Sequence, residues 1–253
     1  MIKFFRHIRR NHMETGKTSK YFKYAIGEII LVVIGILIAL SVNNWNEEQK
    51  IAKEEIGILN NLLESLYSAK KQSDIEISKE IQMKDALLLA LRKNTDKSKL
   101  DVTTISDSLF FDILWNSNPI LPVINSYSDI KNTGKIGIIK SRNIRESFTN
   151  LELTLNNLSS MVTDRLTLQQ MRIDDIIVND LNFVRLLSFI EPSINIDNES
   201  QNDYNSILNN QKIRNSLALK LSLTSAAITH RQELEDEIDD LIQLIEVELK
   251  KEE

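Results

Sequence analysis

The amino-acid sequence predicts an all-α protein, with one N-terminal transmembrane helix followed by an elongated antiparallel bundle of about four helices. Three observations predict this class. Residues 24–42 form a nearly unbroken apolar run, YAIGEIILVVIGILIALSV. Only six glycines and three prolines occur in 253 residues, so residues that break helices are rare. Beyond the run, apolar residues recur in steps of three and four, which is the spacing of one helix face.

The apolar run is long enough to cross a membrane, since about 20 residues span roughly 30 Å of hydrocarbon. Residues 1–23 carry seven basic residues and one acidic residue, a net charge of +6, whereas the rest of the chain carries −11. Basic segments tend to stay in the cytoplasm. We therefore expect a cytoplasmic basic tail (1–23), a transmembrane helix (24–42) and an extracytoplasmic bundle domain (43–253). In a Gram-negative bacterium the protein would be a single-pass inner-membrane protein with a periplasmic domain.

A cleaved signal peptide is the alternative interpretation of the same run. Ala39-Leu40-Ser41 loosely resembles a small-residue cleavage site. Signal peptides have an apolar region of only 7–15 residues, and this run is longer. The sequence therefore favours an uncleaved anchor.

Four residues are expected at the membrane interfaces: Lys20, Lys23, Glu28 and Trp45. A carboxylate inside a membrane helix is costly. Glu28 lies close to the cytoplasmic boundary, where it can pair with Lys20 or Lys23, although a partner contact or a proton-linked role stays open. The basic tail also has apolar residues between its arginines, an arrangement that suits contact with anionic lipid.

Gly35 and Ala39 are the candidate helix-helix contact within the span. Their spacing places two small residues on one face, which lets another helix approach closely. The expected partners are therefore membrane lipid and either another envelope protein or a second copy of the chain. Nothing in the sequence predicts binding to nucleic acid.

The first bundle helix is predicted from about Glu47 to Lys93. It would reach roughly 70 Å if unbroken, and a break or kink near Gln72 to Asp74, where the apolar stripe thins, would shorten it. No Gly or Pro lies between Leu37 and Glu55, so this helix can be continuous with the membrane span. The stripe is assigned to Leu59, Leu63, Leu66, Ile77, Ile81, Leu88 and Leu91.

Three further helices complete the predicted bundle. A short helix is expected near Thr104 to Trp115, and a long one begins after a cap at Ser141 or Asn143. The stripe of the long helix is Ile144, Phe148, Leu151, Leu155, Leu158, Val162 and Leu166, and Ile173, Ile177, Leu181 and Val184 can prolong it. The stripe of the C-terminal helix is Ile213, Leu217, Leu221, Leu234, Ile238, Leu241, Ile245 and Leu249.

Residues 116–140 are the least regular region. Prolines force extended backbone here, and Ser126 with Asp129 is expected to form a capping box for a short helix that ends at Gly134. One interpretation is a corner that packs Tyr127 and Ile130 into the bundle end. The other is an interaction loop, because ordered loops on a rigid scaffold often carry recognition. The candidate loop residues are Tyr127, Ile130, Lys131 and Gly134.

The sequence contains few residues suited to catalysis. There is no cysteine, no HExxH, and none of the glycine-containing motifs of nucleotide-binding proteins or serine hydrolases. The carboxylates between residues 233 and 240 follow one another around a helix, so a solvated face is expected rather than a cation site. We predict no catalytic, cofactor-binding or metal-binding residues and no enzyme activity.

Three segments of the sequence carry a family resemblance: MIKFFRHIRRN, GKTSKYFKYAIGEIILVVIGILIALSVNNWNEE and SYSDIKNTGKIGIIKSRNIRESF. Together they resemble an uncharacterised family of Bacteroidota membrane proteins, a domain of unknown function. The resemblance implies a single-pass inner-membrane protein with a helical periplasmic domain, and it supplies no catalytic residues. The loop of this family has the form Tyr-x-x-(Leu/Ile)-Lys-x-x-Gly, which residues 127–134 match.

Two functions are compatible with these features. The first is a periplasmic interaction or scaffolding module, anchored in the inner membrane, for an envelope complex. The second is a periplasmic ligand or stress sensor that signals through the membrane helix to a separate cytoplasmic partner. The heptad stripes, the acidic faces and the scarcity of catalytic groups favour the first.

The predicted topology can be tested with a C-terminal alkaline phosphatase fusion. The fusion should be active, because the enzyme is active only outside the cytoplasm, and it should stay in the membrane fraction. An inactive fusion would contradict the orientation, and active enzyme in the soluble periplasm would indicate a cleaved signal peptide.

Overall fold

The computed structural model describes residues 18–92 and 105–251, and within these ranges it contains helices and no strand. The all-α class is therefore confirmed. The helices are α1 (Thr18–Leu91), α2 (Asp107–Trp115), α3 (Asn125–Asn132), α4 (Arg142–Leu168), α5 (Asp174–Asn179), α6 (Phe183–Leu187), α7 (Tyr204–Asn209) and α8 (Gln211–Leu249). A short 3-10 helix (Lys135–Ile138) precedes α4, and a π-helical turn (Gln169–Ile173) joins α4 to α5.

The chain divides into two compact units, Met1–Gly57 and Ile58–Glu253. In the first unit, the apolar side chains between residues 26 and 42 are exposed to about half of their surface or more. Among the described helices, α1 is the one that is long and apolar enough to cross a membrane. Water-exposed apolar surface of this extent is unfavourable, so this segment needs an apolar environment.

Helix α1 is unbroken at Gln72 to Asp74, so of the two possibilities the continuous helix is the one observed. It runs from Thr18 to Leu91 and so includes both the apolar run and the first bundle helix, as the absence of Gly and Pro predicted. The predicted end at Lys93 lies outside the described residues. The apolar stripe thins at this point because the inward positions are occupied by the polar residues Ser73, Glu76 and Glu80.

Helix α8 runs antiparallel to both α1 and α4, so α1 and α4 are parallel to each other. The segment between them, which carries α2 and α3, returns the chain to the starting end of the bundle. The contacts that show these directions are Tyr67–Glu246 (2.5 Å), Lys70–Asp239 (2.6 Å), Arg214–Leu91 (2.8 Å), Lys220–Gln169 (3.1 Å) and Lys212–Asp175 (2.9 Å).

The inward face of α1 follows alternating steps of three and four residues without interruption. Two residues assigned to this face from the sequence, Ile81 and Leu88, are instead 44% and 40% exposed. That assignment was wrong by one position in both places, since the buried residues are Glu80 and Leu87. The residues on the inward face are Leu59, Leu62, Leu66, Ala69, Ser73, Glu76, Glu80, Met83, Leu87 and Ala90.

The inward faces of α4 and α8 also contain polar residues. Near the end of α4, the residue that continues the buried face is Arg165. The neighbouring Leu166, which was predicted there, is half-buried. On α8 the apolar residues predicted at both ends are buried or half-buried, and Lys220, Thr224 and Arg231 continue the same face between them.

The predicted extension of the α4 stripe is correct only in part. Ile173, the last residue of the π-helical turn, and Ile177 in α5 are both buried. Helix α5 ends at Asn179, and Val184, in the separate helix α6, is 46% exposed. The predicted short helix begins at Asp107, and Thr104 lies outside the described residues.

The second unit has two apolar clusters. The first joins the 58–69 part of α1 to α3, the first part of α4 and the last part of α8. The second joins the end of α1 to α2, α5 and the first part of α8. Between them lies a layer of buried polar side chains, which we call the polar layer: Ser73, Glu76, Glu80, Arg165, Lys220, Thr224 and Arg231.

Residues 116–140, which precede α4, form the packed corner that was one of the two interpretations of this region. Tyr127 and Ile130 are buried in the first cluster, and the ring of Tyr127 stacks on Phe148 with centroids 5.0 Å apart. The predicted capping box is wrong, because the N-cap of α3 is Ile124, two residues before Ser126. Ser126 instead donates to the Asn61 carbonyl oxygen (2.9 Å), so it joins α3 to α1 rather than capping its own helix.

Both ends of this corner were predicted correctly. Gly134 has φ +70°, the left-handed conformation that ends α3. Ser141 is the N-cap of α4, where its hydroxyl accepts from the backbone N–H of Ile144 (3.5 Å).

Substitution Gly134→Ala should lower the free energy of unfolding by about 1 kcal/mol, because a Cβ disfavours the left-handed conformation. Among the described residues nothing lies within 4 Å of the added Cβ, so the cost would come from the backbone alone. Urea unfolding of the full-length chain in detergent measures it. Gly137→Ala is the matched control, because Gly137 also has open space but no positive φ. Equal losses in the two variants would contradict this account.

Candidate functional site

Glu80 is the centre of the polar layer. Its Oε2 accepts from Arg165 Nη1 (2.6 Å), and its Oε1 accepts from Arg231 Nε (3.2 Å) and from Asn118 Nδ2 (3.0 Å). The side chains of Glu80, Arg165 and Arg231 are 1%, 3% and 0% exposed. One carboxylate from α1 therefore binds one guanidinium from α4 and one from α8 inside the bundle.

The backbone at Asn118 completes this arrangement. Its carbonyl oxygen accepts from Arg165 Nη2 (2.6 Å) and Arg231 Nη2 (3.3 Å), and Arg231 Nη2 also donates to the Ile120 carbonyl (2.9 Å). Asn118 has φ +40°, which is uncommon outside glycine but better tolerated by asparagine than by most residues. The conformation brings the Asn118 carbonyl and amide to the same charged cluster.

Lys220 is the third buried cation and lies beside the end of α2. Its Nζ donates to the carbonyl oxygens of Ile113 (2.7 Å) and Leu114 (3.4 Å) and to Gln169 Oε1 (3.1 Å). A cation at a helix C-terminus is favoured by the helix dipole. Burial and, to a smaller extent, the nearby charge of Arg165 lower the pKa of Lys220 to about 7. Three acceptors are the number an ammonium group can use, so this geometry suits the charged form.

A small recess opens beside these residues. It is lined by Lys79, Glu80, Met83, Asn116, Ser117, Asn118, Arg165, Lys220 and Thr224, and it has room for about one water molecule. Within the described part of the chain, five buried atoms of the polar layer have no hydrogen-bond partner: Ser73 Oγ, Glu76 Oε2, Arg165 Nε, Thr224 Oγ1 and Arg231 Nη1. Buried polar atoms are normally bonded, and these five include both donors and a carboxylate acceptor.

The second feature is a partly exposed cluster of four aromatic residues, which we call the aromatic patch: the exposed Trp115 and Phe189 and the half-buried Phe111 and Phe183. Phe111 lies next to Trp115 (centroids 6.0 Å apart) and Phe189 (5.7 Å), and Trp115 stacks on Phe183 (5.6 Å). Trp115 is 51% exposed and Phe189 is 49% exposed. Phe111 and Trp115 are four residues apart, so they share the outer face of α2.

Packing and hydrogen bonds on the inner side of α2 support the aromatic patch. On the inner side of α2, Phe110 is buried and packs against the Tyr204 ring (4.6 Å). Asp107, at the start of α2, accepts from Arg185 Nε (2.6 Å) and Tyr204 Oη (2.5 Å). Burial, together with the bond to Asp107, raises the pKa of Tyr204. These contacts hold α2, α6 and α7 together and fix the rings of the patch.

The four predicted loop residues lie close together, but two of them, Tyr127 and Ile130, pack into the first apolar cluster. Tyr127 and Ile130 are buried, which leaves them unavailable to a partner in this conformation. Tyr127 Oη donates to Glu152 Oε2 (3.0 Å), and Lys131 pairs with the other oxygen of Glu152. Burial and this bond raise the pKa of Tyr127 to about 12. An interaction role for the exposed Lys131 and Gly134 stays a prediction.

The predicted membrane residues all lie on α1. Lys23 and Trp45 are exposed, Glu28 is half-buried, and the side chain of Lys20 lies outside the described residues. A Cβ at Gly35 would meet nothing within 4 Å in the described chain, and Ala39 is exposed. The expected contact of these two small residues with another helix stays a prediction.

The acidic stretch of α8 lies partly against α1. Lys70 pairs with Asp239 (2.6 Å). Burial and a hydrogen bond with Asp74 together raise the pKa of Glu235 to about 7. Among the described side chains, no three His, Cys, Asp or Glu residues converge as metal ligands would.

The sequence analysis missed both the polar layer and the aromatic patch. For the layer, the available signal was that charged residues continue the three-and-four spacing of the apolar stripes. For the patch, the signal was α2 itself, DSLFFDILW, which has too many apolar residues for one buried face.

Comparison with known proteins gives one match. The model of a family of unknown function, DUF6090, matches residues 28–158, slightly more than half of the chain. The matched part includes residues 28–42 of the apolar run, the part of α1 that follows it, α2, α3 and the first part of α4. Searches of curated proteins and of solved structures find no match.

Substitution Glu80→Gln should lower the free energy of unfolding by about 3–5 kcal/mol, because it leaves two buried guanidinium groups without a counter-charge. Replacing Glu80, Arg165 and Arg231 together by methionine should recover most of this loss, since no buried charge then remains unpaired. Urea unfolding measures both variants. Glu146→Gln is the control, because it breaks the exposed Arg142–Glu146 pair and should change stability little. A Glu80→Gln variant as stable as this control would contradict the assignment.

Proposed function

We propose that this chain, which belongs to the DUF6090 family of unknown function, is a non-enzymatic membrane-anchored protein whose helical bundle binds another protein of the cell envelope. The observation that carries the proposal is the aromatic patch. The bundle would act as an interaction or scaffolding module, and the apolar part of α1 would hold it at the membrane.

The aromatic patch has the chemistry of a protein-binding surface. Trp and Phe are enriched at protein interfaces and supply much of the binding energy there. The rings are held by the contacts of Asp107 with Arg185 and Tyr204, so little side-chain freedom would be lost on binding. Neighbouring Val184 and Ile190 are 46% and 48% exposed and extend the apolar character of this region.

The interior of the bundle supports protein binding more than binding of a small organic ligand. Its two apolar clusters are filled largely by leucine and isoleucine. The recess beside the polar layer accepts about one water molecule, whereas small-molecule sites enclose about 300–1,000 Å³.

The proposed location follows from α1 and from the charge distribution. We propose that residues 24–42 cross the inner membrane once, with residues 1–23 in the cytoplasm and residues 43–253 in the periplasm. The support is the excess of basic residues before the span and of acidic residues after it. Lys23 and Trp45 would then mark the two interfaces.

The second candidate function is a periplasmic sensor that signals through the membrane helix to a separate cytoplasmic partner. One observation favours it: α1 includes both the apolar run and residues of the polar layer in one helix. A stimulus that changed the polar layer would therefore act on the element that contains the proposed membrane span.

The proposal is tested by photo-crosslinking in cells from positions in the aromatic patch. A photoreactive phenylalanine analogue at position 115 or 189 should capture one envelope protein reproducibly, identified by mass spectrometry. The same analogue at Leu153, which is 61% exposed on α4, should not capture it.

A variant separates specific binding from chance proximity. Trp115→Ser should abolish co-purification of the captured protein with little effect on the melting temperature, because the side chain is half exposed. Identical products from positions 115, 189 and 153 would contradict an interaction through the patch. Crosslinks only between copies of the chain would instead indicate self-association and favour the second candidate function.

A further inference from the structure

The outer face of α2 carries a negative charge next to its aromatic rings. Asp112 follows Phe111 in the sequence and lies one helical turn before Trp115. The side chains of Asp112 and Trp115 are both exposed. Helix α2 contains no lysine or arginine. The aromatic surface of this helix is therefore bordered by a carboxylate and by no basic residue of the same helix.

The other half of the aromatic patch has the same character. Asp180 lies three positions before Phe183, and Glu191 lies two positions after Phe189. Both acidic residues are exposed. Each of the four rings therefore has an exposed carboxylate within three positions along the chain.

Basic residues are scarce around these rings. Within three positions of them the sequence has one, Arg185, which donates to Asp107 (2.6 Å) and has a side chain that is 22% exposed. Over the longer stretch of residues 174–203 the chain has seven acidic residues and this one arginine. One of the seven, Asp175, pairs with Lys212 (2.9 Å). The sequence that carries Phe183 and Phe189 thus has an excess of negative charge.

The rings form an open surface rather than an enclosing cage. The planes of neighbouring rings differ by 17° for Phe111 and Trp115, 24° for Trp115 and Phe183, and 37° for Phe111 and Phe189. A cage around a small cation needs rings at steep angles to one another, so an isolated ammonium ligand fits poorly. Rings with nearly parallel planes suit a longer segment that lies across them.

A peptide segment that contains arginine meets both requirements. The planar guanidinium group stacks on aromatic faces and also forms strong hydrogen bonds with carboxylates. An acidic segment or an anionic lipid surface would be repelled by the flanking carboxylates. An uncharged apolar segment would displace water from these carboxylates without supplying a counter-charge.

We propose that the aromatic patch, together with Asp112, Asp180 and Glu191, is a docking surface for a basic segment of the partner protein, with an arginine of that segment against Trp115 and Asp112. This inference rests on the proposed function, because it specifies the chemistry of the partner that the patch binds. Opposite charge would also accelerate association, and binding would weaken as the salt concentration rises.

The test uses the two tryptophans of the chain, Trp45 and Trp115, as reporters. The full-length protein is labelled with fluorotryptophan, placed in nanodiscs of neutral phosphatidylcholine and followed by fluorine NMR, with Trp115→Phe to assign the signals. Trp45 belongs to the other compact unit and is the internal reference. The probes are three short synthetic peptides of leucine and serine that carry arginine, lysine or citrulline at the same two positions. Citrulline keeps the planar shape of arginine without its charge.

The arginine peptide should shift the Trp115 signal and leave the Trp45 signal in place. Its Kd should be at least about tenfold lower than that of the citrulline peptide, because it gains both the stacking of a cation and the ion pair. The lysine peptide should lie between them, because an ammonium group cannot stack as a guanidinium does.

Asp112→Asn is the diagnostic variant, because it removes the charge next to Trp115 and keeps the size of the side chain. It should weaken binding of the arginine peptide about threefold to tenfold and leave binding of the citrulline peptide unchanged. Asp236→Asn is the matched control, since Asp236 is an exposed carboxylate on α8. This control should bind all three peptides as the wild type does, and both variants should keep the wild-type melting temperature.

Equal affinity for the arginine and citrulline peptides would overturn the proposal. No shift of the Trp115 signal with the arginine peptide up to about 1 mM, the weak end of specific binding, would overturn it too. So would an Asp112→Asn variant with undiminished affinity, or a Trp45 shift as large as that of Trp115, which indicates peptide in the bilayer. Failure of the proposed function is a different result, in which crosslinking from positions 115 and 189 captures no partner.

Discussion

The rest of the bundle depends on the contact of Glu80 with Arg165 and Arg231. Three buried charges from three helices satisfy one another only when these residues lie at the same level of the bundle. A shift of one helix by one turn moves its side chains by about 5.4 Å and would leave at least one charge buried without a partner. Apolar stripes tolerate such a shift more easily, because leucine and isoleucine can replace one another with little loss. The charged contact thus sets the register that the apolar clusters on either side then stabilise.

The same layer positions the surface that we propose for binding. Lys220 donates to the carbonyl oxygens of Ile113 and Leu114 at the end of α2, and Gln169 Nε2 also donates to Leu114 (2.8 Å). Helix α2 carries Phe111 and Trp115 on its outer face. The aromatic patch is therefore joined to the polar layer through one short helix, and a change in the layer is expected to alter the position of the patch. A module of this kind can bind a partner and respond to its surroundings through the same contacts.

The regular parts of the fold could be read from the sequence. Predicted residues at both ends of α8 and along the first part of α4 are buried or half-buried, and Gly134 and Ser141 end and begin helices as expected. The errors lie in the middle of the bundle, where Ile81 was preferred to Glu80 and Leu166 to Arg165. Reading apolar residues as buried is sound on average, but a charged residue can be buried when other charges satisfy it. Those partners lie 85 and 151 positions away in the chain, so no local pattern includes them.

The sequence by itself determined the helical class, the apolar segment of α1 and the spacing of the inward faces, because each depends on residues a few positions apart. Only the tertiary structure decided which residues of those faces are charged and paired, how the α2 helix exposes its aromatic side chains, and where a small recess remains. These features depend on side chains from α1, α2, α4 and α8 meeting at one level. Such a meeting is fixed by the packing of whole helices, which long-range contacts determine and local periodicity does not.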